Sequence, residues 1–264
     1  MALATSILSE LSLLAAGLGL FATTHEIRAA PAAPETGFLA YAQRNYQAAQ
    51  TRYREAPGEP TAAWKFAQAC FDMADLATNK AQRNSLADQG IAASQQAIAR
   101  DSNSAPAHYY LGMNLAQLAR TKGLTALKLV LEMQREFNQA RNLEAQLDWA
   151  GPDRNLGLLY LEAPAVISIG NRAKARQHLT RAVELAPGYP ENRLNLIEAY
   201  LQWREPNNAR RELAALEKIW PGARTNFVGE AWAASWADWE ARLKKLKQKI
   251  EAHPNSLGPP RTQP

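Results

Sequence analysis

The residues able to do chemistry in this chain are few and scattered. Its four histidines, His25, His108, His178 and His253, never fall two to a helical turn. A metal site needs imidazole, thiolate or carboxylate ligands at short fixed spacings. No HExxH, paired-cysteine or clustered-carboxylate spacing occurs. The one cysteine, Cys70, sits in an apolar helical pattern with Phe66, Ala67 and Phe71, and reads as a small buried hydrophobe, not a reactive thiol. No GxSxG precedes a helix, and no glycine-rich loop is placed to cradle a phosphate. The expectation is a protein that is no enzyme and carries no cofactor or metal. Seven tryptophans remain. Trp232, Trp236 and Trp239 crowd one stretch, where they either stack on a ligand or fill a gap between helices; filling is the expected role.

Composition says which elements must position these groups. At 264 residues and 47% hydrophobic the chain can bury a substantial core. Ala, Leu, Gln, Glu, Lys and Arg dominate and strand-type alternation is scarce, so helix is expected throughout. The net charge of +5 comes from bases mixed with acids along the whole chain, without a nucleic-acid-binding motif. No nucleic acid is expected as a partner. The apolar run from Leu11 to Ala22 and the small residues Ala29 to Ala33 read as a secretory signal or N-terminal membrane segment over 1–32. Export to the periplasm or cell envelope is the expectation, with membrane contact only through that segment if it is retained. Residues 33–36 read as a linker, 37–252 as a helical domain and 253–264 as a disordered tail.

Within the domain a period emerges. Ala175, Leu179, Ala182 and Pro187 recur as Ala209, Leu213, Leu216 and Pro221, each 34 residues later. Two further stretches share a motif, Leu111-Gly112 with Leu115 and Leu156-Gly157 with Tyr160. Leu-Gly with an apolar residue three later resembles the first-helix signature of a tetratricopeptide hairpin, and that resemblance implies a partner helix crossing close to the glycine. The paired patterns place helices at about 60–78 and 81–101, then from Ala107 and over 124–141, then around Gly157 and over 171–186, then over 190–202 and 206–220. Single helices over 37–56 and 235–252 flank them. On the last, Trp236, Trp239, Leu243, Leu246 and Ile250 form one stripe. Ser104 is placed to cap the second hairpin.

A period of 34 with paired helices resembles the tetratricopeptide (TPR) repeat. The resemblance implies an all-α, TPR-like α-solenoid of about four helical hairpins with helical caps. It also implies a non-enzymatic scaffold that binds a protein or peptide partner in its concave groove. The spacing between the last first-helix anchor and the first second-helix anchor is nine residues from Tyr200 to Ala209, but fifteen from Tyr160 to Ala175, eighteen from Leu115 to Met133 and twenty from Cys70 to Gly90. The first three hairpins are thus enlarged. In the third the extra residues, 163–170, form an apolar loop between Pro and Gly, expected either to tuck against the array or to act as a lid or partner contact. Such enlarged hairpins, with the run from Gly151 to Tyr160, look similar to the periplasmic TPR T component associated with TRAP transporters. That narrower resemblance implies the alternative of a transport accessory holding a small organic ligand.

In TPR arrays the first helix of each pair lines the groove. Carried over position by position, this selects Trp64, Phe71, Tyr109, Met113, Gln117, Arg154, Leu158, Glu162, Leu194 and Glu198, with Gln68, Asp72 and Gln202 beside them. A groove-facing arginine needs an acidic partner, and Glu162 is the candidate for Arg154.

Overall fold

The computed structural model describes residues 36–122 and 126–252. The expected signal or membrane segment 1–32 and tail 253–264 lie outside the described residues. Within them the chain forms α1 (Thr36–Glu55), α2 (Pro60–Asp75), α3 (Lys80–Arg100), α4 (Ala105–Ala119), α5 (Ala126–Leu143), α6 (Leu147–Glu162), α7 (Arg172–Leu185), α8 (Pro190–Gln202), α9 (Pro206–Asn226), a 3-10 turn (Glu230–Trp232) and α10 (Ala233–Glu251). No strand occurs among them. This is an all-α solenoid of four hairpins, α2/α3, α4/α5, α6/α7 and α8/α9, with α1 and α10 at its ends. The first helices also touch one another in series, α2 to α4 to α6 to α8 to α10, and so form one face of the array.

Small residues set the hairpin spacing. A Cβ added at Gly112 would stand 2.6 Å from Phe137 Cε1 on α5, and one at Gly157 would stand 2.6 Å from Leu179 Cγ on α7. In the first hairpin Ala63, Ala67, Ala93 and Ala97 do the same work, each at most 1% exposed.

A polar pair repeats in register with these contacts. Four residues before Gly112, His108 Nδ1 lies 2.6 Å from Glu136 Oε2 on α5. Four before Gly157, Asp153 Oδ1 lies 2.7 Å from His178 Nδ1 on α7. At the matching place in the fourth hairpin, Arg193 Nη1 lies 2.6 Å from Glu212 Oε2 on α9. The first hairpin has Ala63 and Ala93 there, both buried. Three different polar pairs, and in the first hairpin two buried alanines, thus occupy one register position.

Three local expectations change. Ser104 stands at the N-cap of α4 but its side chain makes no cap hydrogen bond. The second helix of the fourth hairpin continues through Pro221 to Asn226 and does not stop at Trp220. Its last turns are held by tertiary contact, with Ala223 buried and Trp220 edge-on to Trp236 at 5.4 Å, which outweighs the lost proline hydrogen bond. The loop 163–170 divides: Ala163 and Ile169 pack inward, while Val166 (95% exposed) and Ile167 face outward. The α10 stripe packs as the periodicity requires, through Trp239, Leu246 and Ile250, but a buried Arg242 lies in it.

Candidate binding surface on the first-helix face

The most unusual backbone in the structure lies where α5 hands over to α6. Asp148, Trp149 and Ala150 all take left-handed conformations, with φ of 49°, 53° and 62°. Each costs an L-residue about 1–2 kcal/mol, so the surroundings must hold the turn. They do. Arg154 Nη2 lies 2.6 Å from Asp148 Oδ2, and Arg154 Nη1 donates to the carbonyls of Asp148 (3.1 Å) and Trp149 (3.3 Å). Asn192 Nδ2 on α8 donates to the Trp149 carbonyl at 3.0 Å. Tyr109 on α4 donates its hydroxyl to Asp148 Oδ2 at 2.7 Å and accepts from Asn155 Nδ2 at 3.0 Å. Gly151 follows because a Cβ there would meet the Tyr109 hydroxyl at 2.5 Å. The network joins α4, α6 and α8 across the face.

Beside it the aromatic rings gather. Trp149 stacks on Tyr189 at 5.2 Å, and Tyr189 meets Phe227 at 5.4 Å and Trp239 at 5.5 Å edge-on. Trp232 lies edge-on to Trp149 at 5.1 Å. The cluster buries Trp239 fully and leaves Trp149 37% exposed. Below it Arg242 reaches from α10 to Glu191 (2.9 Å), Glu198 (2.9 Å) and Asn195 (2.6 Å), and Trp239 Nε1 donates to Glu191 at 2.7 Å. Burial would push the Glu191 carboxyl up, but the Arg242 and Arg154 guanidiniums outweigh it and hold it below the usual range.

The sequence-derived residues divide into floor and wall. Phe71, Tyr109, Met113, Gln117, Arg154, Leu158 and Leu194 are buried. Gln117 donates to Asp75 at 3.1 Å, and Arg154, 1% exposed, has both Nη atoms engaged by its own neighbours while its buried Nε makes no hydrogen bond. Trp64, Glu162 and Glu198 are half-buried; Trp64 stacks on Tyr110 at 6.1 Å and Glu198 is committed to Arg242. The acidic partner of Arg154 is Asp148, not Glu162. A helical side chain leans toward its own N-terminus, so an acid upstream is reachable where one eight residues downstream is not. Asp148, Trp149, Tyr189, Glu191 and Arg242 were not selected by the repeat geometry. The one sequence signal for them was Arg242 interrupting an apolar stripe.

Half-buried Asp72 on α2 completes the wall. Burial, helped by the Asp75 and Asp148 carboxylates, raises its pKa to about 6. Asp75 itself is paired with Arg120 at 3.0 Å. Elsewhere, burial and then Asp72 push the Cys70 thiol up to about 12, and no His, Cys, Asp and Glu group among the described residues could hold a metal. His25 and His253 lie outside the described residues, and His108 and His178 serve the hairpin pairs.

With this geometry in hand, likenesses to known proteins fall on two parts of the chain. The profile of the regulator of microtubule dynamics protein 1–3 family matches residues 37–147, from α1 through the second hairpin. A tetratricopeptide repeat profile matches residues 168–223, from α7 into α9. No curated protein sequence matches the chain significantly. Among solved structures, a thermophilic TPR protein from Thermus thermophilus superposes with a TM-score of 0.58 at 19% identity, over 80% of this chain and 95% of that one. The chain therefore has a TPR-like helical-repeat fold, distantly related to known TPR proteins, of the kind that presents a surface for protein or peptide binding.

Proposed function

We propose that this scaffold binds an extended segment of a protein partner along its first-helix face, and that the segment carries a cationic side chain. The observation behind the charge preference is half-buried Asp72, on the same helix α2 as Trp64, whose ring stacks on Tyr110 at 6.1 Å. Carboxylate beside aromatic faces suits an ammonium or guanidinium group. Arg154 is 1% exposed, and both its Nη atoms are tied to Asp148, Asn192 and two carbonyls, which leaves an acidic ligand no accessible donor there.

Calorimetric titration of extended peptides of graded net charge tests this. Basic peptides are expected to bind best, with Asp72→Asn and Trp64→Ala each weakening them about tenfold, as loss of a binding hot spot does. The same Asp72 variant separates binding from folding. Because its folded pKa is raised, the stability Asp72 costs is absent below the ordinary carboxylate range and grows as pH rises through about 6. Asp72→Asn should therefore melt higher than the wild-type chain at about pH 8 and alike at about pH 4. Acidic peptides binding as well as basic ones would overturn the charge preference.

A further inference from the structure

The hairpins are joined in series. Every other substantial pairing links elements one or two apart in the chain, as expected where each unit touches only its neighbours. Two contacts, both at the 3-10 turn, depart from that pattern; one is Trp232 against Trp149 at the start of α6, in the aromatic cluster described above. In the other, α1 meets the 3-10 turn Glu230–Trp232 at the far end, and Arg44 Nη2 lies 2.6 Å from Glu230 Oε2 across 186 positions. A serial array accumulates small rotations, and nothing inside one hairpin fixes the distance between its two ends. The α1 contact joins the first helix of the array to the turn that precedes its last helix.

The two sides are anchored firmly and the junction is not. On one side Tyr46 and Tyr53 lie 5.6 and 5.0 Å from the Phe66 ring, and the Tyr46 hydroxyl donates to Gln89 on α3 at 2.9 Å. On the other, Trp232 is packed into the aromatic cluster, 4.7 Å from Phe227. Between them, the side chains of Arg44 and Glu230 are 59% and 66% exposed, so water and salt compete with the pair. The 3-10 turn hangs from Gly229, whose φ of 92° lies where glycine moves without penalty.

We propose that the Arg44–Glu230 junction is a reversible clasp between the two ends of the array, and that its opening admits a partner segment to the first-helix face. The second half rests on the binding reading above; the first half does not. Nitroxide labels at Gln47→Cys and Val228→Cys, both exposed positions, report the end-to-end distance by pulsed electron paramagnetic resonance, while buried Cys70 stays unlabelled. In the full-length chain a short distance is expected at low salt, with a longer one appearing at about 1 M salt, where screening reaches ~3 Å. Arg44→Glu should raise the open-to-closed ratio about fivefold, the scale of one exposed charge pair, and Arg44→Glu with Glu230→Arg should restore it. If Arg44→Glu keeps the wild-type distance distribution, or the double reversal fails to restore it, the clasp is refuted. A clasp that opens while peptide association is unchanged would keep the first half and remove the second.

Discussion

At the scale of single residues, Arg154 shows both what the sequence offers and where it stops. Its place on the first-helix face and its need for a carboxylate follow from repeat register and from the cost of burying a guanidinium. Its partner does not follow, because Asp148 comes within reach only through three left-handed residues, and Asp-Trp-Ala carries no turn motif that announces them. Burial works against the guanidinium charge, and Tyr109 and Asp148 outweigh it. Arg154→Ala would strand the Asp148 carboxylate and release two carbonyls and Asn192. We expect a loss of about 3–5 kcal/mol in urea unfolding, with the near-ultraviolet dichroism of the Trp149–Tyr189 stack weakened. An unchanged unfolding midpoint would mean that the turn is held without it.

At the scale of the helices, the Leu-Gly motifs did foretell the close crossings, since a glycine four residues after a polar one marks both the contact and the pair above it. What the motif leaves open is the chemistry of that pair. His108–Glu136, Asp153–His178 and Arg193–Glu212 are unlike as residues and equivalent as positions, with buried Ala63 and Ala93 at the same register in the first hairpin, so only the register reveals them. The apolar first hairpin shows that the position tolerates having no charge at all. Removing one partner of a buried pair is costlier than removing both, since the survivor loses its hydrogen bond and keeps its desolvation. Asp153→Ala or His178→Ala alone should therefore cost ~1–3 kcal/mol, and the double variant less than the sum of the two. A thermal double-mutant cycle measures the coupling; strict additivity would show that the pair is not an energetic unit. The helix runs on past Pro221 for a related reason, as local propensity gives way to the packing of Trp220 and Ala223.

At the scale of the whole molecule, the solenoid was legible because a period is a property of the sequence, whereas the meeting of α1 with the 3-10 turn sums every rotation in between and leaves no local trace. The same scale bears on the N-terminus. The first described helix begins at Thr36, four residues after Ala32, and from Phe38 onward its buried face belongs to the folded array. Removal of a signal ending near Ala32 would thus spare every contact of α1 described above, including the Arg44–Glu230 junction. No described helix is long and apolar enough to cross a membrane. We expect the mature chain, isolated from its native host, to begin near Ala33 and to fractionate outside the cytoplasm. N-terminal sequencing with cell fractionation decides it. Recovery of intact Met1 on cytoplasmic protein would refute export, and Met1 retained on membrane-bound protein would identify the run from Leu11 to Ala22 as an anchor.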